Sequence, residues 1–155
     1  MQHVTVITGA ASGAGAALAR RIAAPGAALL LHTGHNAAGL DAVADAARVA
    51  GAEVGTCVQP FEMGDASTVI AAALAAFGRV DRLVHVAGGA DPRGFGTVDQ
   101  AGFQRAVAVN AGAFLAMATA LPQAVSRVVT VGSFLAHAYR LGPDYALPEI
   151  GRAHV

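Results

Sequence analysis

Lysine and tryptophan are absent from this 155-residue chain, and cysteine occurs once. All ten basic residues are therefore arginine; ten acidic residues balance them, and the formal net charge is zero. That balance removes the usual electrostatic case for a nucleic-acid partner or an anionic membrane surface. The lone Cys57 excludes an internal disulfide framework and any multi-cysteine metal site, and no metal is expected. Charged residues make up only 13% of the chain, yet no apolar run approaches the ~20 residues a membrane helix needs. The longest, Val69 to Phe77, is mostly alanine. No basic segment precedes a hydrophobic stretch near the N-terminus, so the expected location is the cytoplasm.

What the chain does have is apolar material: 55% hydrophobic residues, with 39 alanines and 19 glycines. That is ample for one packed domain and excludes disorder. Short β-like runs alternate with Ala-rich helical stretches. Strands are expected at His3–Thr8, Ala27–His32, Glu53–Val58, Arg82–Val86 and Arg127–Val131. Each is nearly continuous in apolar residues, the pattern of strands buried on both faces of a parallel sheet. Helices are expected at Gly13–Ala24, Ala37–Ala50, Ala66–Phe77 and Asp99–Leu121, with Pro25-Gly26, Gly51 and Gly78 at their C-termini. Strand and helix in regular alternation predict an α/β fold, a doubly wound parallel sheet; a Rossmann-like arrangement of it would place the five strands in the order 3-2-1-4-5. No internal repeat or linker marks a second domain.

The first strand runs into Thr8-Gly9-Ala10-Ala11-Ser12-Gly13-Ala14-Gly15, which opens directly into a helix. Glycines at such a turn let the backbone bend sharply and approach a pyrophosphate, while the helix N-terminus presents unpaired N–H groups. Dinucleotide binding is the expectation, with Thr8, Gly9, Ser12, Gly13 and Gly15 at the phosphates.

The spacing T-G-x-x-x-G-x-G resembles that of the short-chain dehydrogenase/reductase family. Three more segments are similar to that family's landmarks, in the same order. Leu83-Val84-His85-Val86-Ala87-Gly88 resembles its N-N-A-G segment with both asparagines replaced. Val109-Asn110 resembles its conserved asparagine site, and Val128-Val129-Thr130-Val131-Gly132-Ser133 its strand-five segment ending in the catalytic serine. Tyr145 follows Ser133 by twelve residues, about one short of the family's usual spacing. The resemblance covers residues 3 to 148 and implies an NAD(P)-dependent oxidoreductase that reduces a carbonyl or oxidises a secondary alcohol by hydride transfer. It implies Tyr145 as general acid/base, Ser133 as the group that holds and polarises the substrate oxygen, and Asn110 in a proton relay. It also implies Ala87 and Gly88 against the nucleotide, Glu62 near the adenine, and a homo-oligomer.

Position 149, where the resemblance implies a lysine that lowers the tyrosine's pKa, holds glutamate. The last six residues, Ile150-Gly151-Arg152-Ala153-His154-Val155, back-translate as ATC GGA AGA GCA CAC GTC, a string that resembles the start of a short-read sequencing adapter. The expectation is an incomplete dinucleotide-binding domain over residues 1–148, lacking its C-terminal strands, and a non-native tail over 149–155. Such a truncated chain is expected to lack activity. Taken literally, Glu149 favours the competing class, an inactive nucleotide-binding module with a regulatory or scaffolding role.

At the end of the second strand, seven residues after Gly26, stands Thr33, where an acidic residue would bind the ribose 2′-hydroxyl of NAD. With no carboxylate there, NADP(H) is mildly favoured over NAD(H), although no arginine is at hand to grip a 2′-phosphate. Asp65 is read as an N-cap of the third helix. His32 and His35 read as loop histidines, Cys57 as a small hydrophobe in a buried strand, and Met117 as core.

Overall fold

The computed structural model describes residues 3–62, 65–89, 97 and 99–132. Five parallel strands, β1 (His3–Thr8), β2 (Ala27–Thr33), β3 (Glu53–Val58), β4 (Arg82–His85) and β5 (Arg127–Thr130), form one sheet in the order β3-β2-β1-β4-β5. The strand order is the expected one. The helices are α1 (Gly13–Ile22), α2 (Ala37–Val49), α3 (Ser67–Phe77), α4 (Gln100–Val107) and α5 (Ala113–Ala120).

Side chains alternate across a strand, so consecutive residues of β2 serve opposite layers. Leu29 and Leu31 join Ile7 and pack on Ala16 and Ala19 of α1 and on Leu40, Val43, Ala44 and Ala47 of α2. Leu30 joins Val6 and Leu83 on the other face, against Val69, Ile70 and Ala73 of α3 and Ala113 and Met117 of α5. Each fully buried leucine contributes roughly 1.5–3 kcal/mol by its removal from water.

Burial on both faces holds for β1 and β2 but not for β3 and β5. These two are the edges of the sheet among the described residues; Val128 and Val129 are 44% and 41% exposed. Cys57, on β3, is accordingly only half-buried rather than enclosed, and its partial burial pushes the thiol pKa up.

The long fourth helix expected over 99–121 runs without interruption from α4 to α5 through a π-helical turn at Ala108–Gly112. Periodicity could not reveal the widened turn, because alanine-rich sequence suits either ladder. Its cause is tertiary. Asn110, fully buried in the widened turn, donates from Nδ2 to the carbonyls of Ala106 (3.0 Å) and Gly89 (2.7 Å), and its Oδ1 accepts the Gly89 N–H at 3.0 Å. Asp99 caps α4 through the Gly102 N–H at 2.7 Å. Asp65 is not the N-cap expected of it: that position is Ala66, and Asp65, one residue earlier, accepts the Ser67 N–H at 2.8 Å.

Candidate functional site

The C-terminal ends of β1, β2 and β4 open onto one cleft of about 370 Å³. Gly9, Ala11 and Ser12 line one part, Thr33 to Asn36 with Phe61 and Glu62 a second, and Ala87 to Gly89 a third. In a parallel doubly wound sheet this is the edge where ligands bind, beside the point where the strand order reverses.

The turn after β1 owes its shape to two glycines. Gly9 has φ +68°, and a Cβ there would meet the Ala87 nitrogen at 2.9 Å. A Cβ on Gly15 would lie 2.3 Å from the Gly9 carbonyl oxygen. Small size is thus demanded twice, once to bring the turn against the segment after β4 and once to fold α1 back onto the turn. Ser12 is the extended N-cap of α1, yet its side chain makes no capping bond, and no acidic residue stands in the first turn. The N-terminal N–H groups of α1 and the positive end of its dipole remain available to an anion in the cleft.

Thr8, fully buried, binds the turn to β4. Its hydroxyl accepts the N–H groups of Val86 (3.2 Å) and Ala87 (3.1 Å) and lies 2.8 Å from His85 Nδ1. His85 itself is buried beneath the turn. Ala87 and Gly88 line the cleft.

His32 is not a loop histidine. It is a fully buried residue of β2, stacked on Phe61 at 4.3 Å between ring centroids. Its Nε2 donates to the Gln59 carbonyl at 2.8 Å, and burial pushes its pKa below the ordinary value despite that bond. Thr33, the last residue of β2, is buried as well and lines the cleft.

His35 does lie in the loop after β2, and its Nε2 stands 2.6 Å from Glu62 Oε1. Partial burial pulls the Glu62 carboxyl upward, but the His35 bond and backbone N–H groups outweigh it and hold the pKa below the usual range. Sequence reasoning missed His35, Asn36, Phe61, Gly89 and Val109 as cleft residues. Gly39 was missed too, although its N–H caps onto Asn36 Oδ1 at 2.9 Å and a Cβ there would approach the Ala11 carbonyl at 2.8 Å. These residues lie outside the Gly-rich turn, Val109 in the π-helical turn at Ala108–Gly112.

Asn110 reaches this region through Gly89, with its side-chain amide wholly committed to backbone. Ser133 and Tyr145 lie outside the described residues, as does the segment 149–155. Among the described residues no group of histidine, cysteine, aspartate or glutamate is arranged to hold a metal ion, and no helix is long and apolar enough to cross a membrane.

A strand–glycine turn–helix unit facing a cleft at the sheet's reversal point defines a dinucleotide-binding α/β domain. The family model for short chain dehydrogenases matches residues 3–146, and the chain belongs to that family. An uncharacterized oxidoreductase of Methylorubrum extorquens is 39% identical over 92 residues, which cover 55% of this chain and 35% of that protein. A short-chain dehydrogenase/reductase of Serratia marcescens superposes with a TM-score of 0.87 at 26% identity, over 98% of this chain and 64% of its own. A short chain dehydrogenase of Burkholderia cenocepacia, solved in complex with NADP, shares the fold with a TM-score of 0.89 at 24% identity, over 99% and 65%. The chain therefore spans less than two thirds of the length of each.

Proposed function

We propose that the protein containing this chain is an oxidoreductase that uses a nicotinamide dinucleotide, NADP(H) mildly over NAD(H), to interconvert a carbonyl and a secondary alcohol. The observation that carries this reading is the crossing of Gly15 on Gly9, which sets the N-terminus of α1, uncapped by any side chain, at the mouth of the cleft. Family membership supports it, and the Burkholderia protein of the same fold binds NADP.

In this reading the backbone of Gly9, Ser12, Gly13 and Gly15 holds the pyrophosphate, and Ala87 and Gly88 let the nucleotide lie against the chain. Asn110 acts as a positioning residue, its side-chain amide fixing Gly89. Bound nicotinamide supplies or accepts the hydride. Ser133 holds the substrate oxygen, and Tyr145 delivers or removes the proton there, an acid/base role that typically contributes 10²–10⁴-fold to rate.

The test is NADPH-dependent reduction of a generic diketone by the full-length protein. Tyr145→Phe is expected to lower kcat by about a hundredfold or more while leaving NADPH affinity within a few fold. Binding without any turnover in the unsubstituted protein would instead establish the inactive module.

A further inference from the structure

His32, the last but one residue of β2, holds the segment after β3 at two points. Its Nε2 donates to the Gln59 carbonyl at 2.8 Å, and its ring stacks on Phe61 with the planes 11° from parallel. Between the two anchors stands Pro60, whose ring fixes φ and stiffens this short piece of chain. Phe61 and Glu62 on that piece line the cleft. The other ring nitrogen of His32, Nδ1, is buried and has no hydrogen-bond partner among the described residues. A neutral ring that donates from Nε2 carries no hydrogen on Nδ1, so only a lone pair goes unmet. Protonation would put an N–H and a positive charge there, in a buried position with no acceptor.

The titratable groups around the ring do not offset that charge. Cys57 stands in register with His32 on β3, with a thiol that burial keeps protonated. Glu62 and His35 line the same cleft and are bonded to each other at 2.6 Å, while His85 lies beyond Phe61. Among the described residues no carboxylate pairs with the His32 ring, and burial outweighs the Gln59 bond in holding its pKa down. We propose that His32 is a positioning residue that latches this wall of the cleft only while its ring is neutral. On taking a proton it leaves its buried position, and segment 59–62 comes free of β2. The latch is made of the chain's own residues and holds whichever ligand the cleft takes. An exposed histidine titrates near pH ~6.5, so the released state binds a proton there while the latched state does not. The latch is therefore complete above that value and weakens as pH falls; between pH 7.5 and 5.5 the released population grows about tenfold.

The test is amide hydrogen exchange in the full-length protein, with rates corrected for the intrinsic effect of pH. The Gln59 N–H, bonded to the Thr33 carbonyl at 2.9 Å, reports the release. Its protection is expected to fall about tenfold over that pH range, and to stay below that of the β1 core amides, as local opening requires. His32→Phe keeps a stacking ring and His32→Gln keeps a donor for the Gln59 carbonyl; neither titrates, and in both the protection is expected to be independent of pH. His35→Gln is expected to retain the fall, which separates the latch from the His35–Glu62 bond. A flat profile in the parent would overturn the latch, as would a tenfold fall that survives both His32 variants. Should those variants fail to fold, the His32 ring resonance in the parent decides. Titration together with the loss of Gln59 protection is expected, and titration without that loss would overturn the proposal.

Discussion

Gly15→Ala is expected to cost the full-length protein about tenfold to a hundredfold in NADPH affinity, read by fluorescence titration. The added methyl would sit 2.3 Å from the Gly9 carbonyl oxygen and 3.1 Å from the Ala10 Cα, both backbone atoms that no side-chain rotation can clear. Either the helix backs away or the turn opens, and both displace the N–H groups at the start of α1. Forcing a methyl into a packed contact typically costs 1–3 kcal/mol, and each ~1.4 kcal/mol lost to binding is tenfold in affinity. Gly26→Ala is the control. Gly26 has φ +84°, but nothing lies within 4 Å of its Cβ and it lines no part of the cleft. It is expected to lose about 1 kcal/mol of stability with NADPH affinity unchanged. Equal binding by Gly15→Ala and the parent would sever the turn from the cofactor site.

Asp81→Ala is expected to be the most destabilising of these changes, by about 2–4 kcal/mol in chemical denaturation. The Asp81 side chain, 7% exposed, accepts the Val4 N–H at 2.8 Å and the Arg79 Nε–H at 3.1 Å. Its main chain donates to the Val4 carbonyl at 3.0 Å and accepts from the Ser126 N–H at 2.9 Å. One residue thus ties the N-terminal end of β1 to the entries of β4 and β5. Truncation leaves the Val4 N–H without its acceptor in a buried site, and that penalty decides the magnitude. Arg79, 45% exposed, rehydrates and adds little. Burial pulls the carboxyl pKa up, but Arg79 and the Val4 N–H outweigh it and hold the pKa low. A depressed carboxyl pKa contributes stability that is complete above the unfolded value of about 3.9 and is lost as pH falls through the folded value. The stability gap between the parent and Asp81→Asn is therefore expected to narrow on acidification. A gap independent of pH would exclude the charged form as the source.

Much of the fold was legible because it is written in local order. Strand runs, helix caps and the Gly-rich turn arrive in sequence, and right-handed crossovers leave few ways to arrange them. β1 and β3 have the expected limits, and the other elements differ by one or two residues, except where the fourth helix passes through the π turn at Asn110. The cleft was legible only where a motif lies in it. Gly9 and Ser12 were marked by the Gly-rich turn, and Ala87 and Gly88 by resemblance to the family's segment after β4, whereas Phe61 and Gly89 carry no such mark.

By itself the sequence determined the strand order, the turn that faces the cleft and the family, because each is specified by neighbours along the chain. Tertiary structure alone decided that His32 is a buried strand residue stacked on Phe61. It also decided the π turn at Asn110 and the meeting of His35 with Glu62, 27 positions apart. Hydrogen bonds of this kind join loops whose separation in sequence says nothing of their distance in space. They become visible only once the sheet has brought the ends of β2, β3 and β4 to one edge.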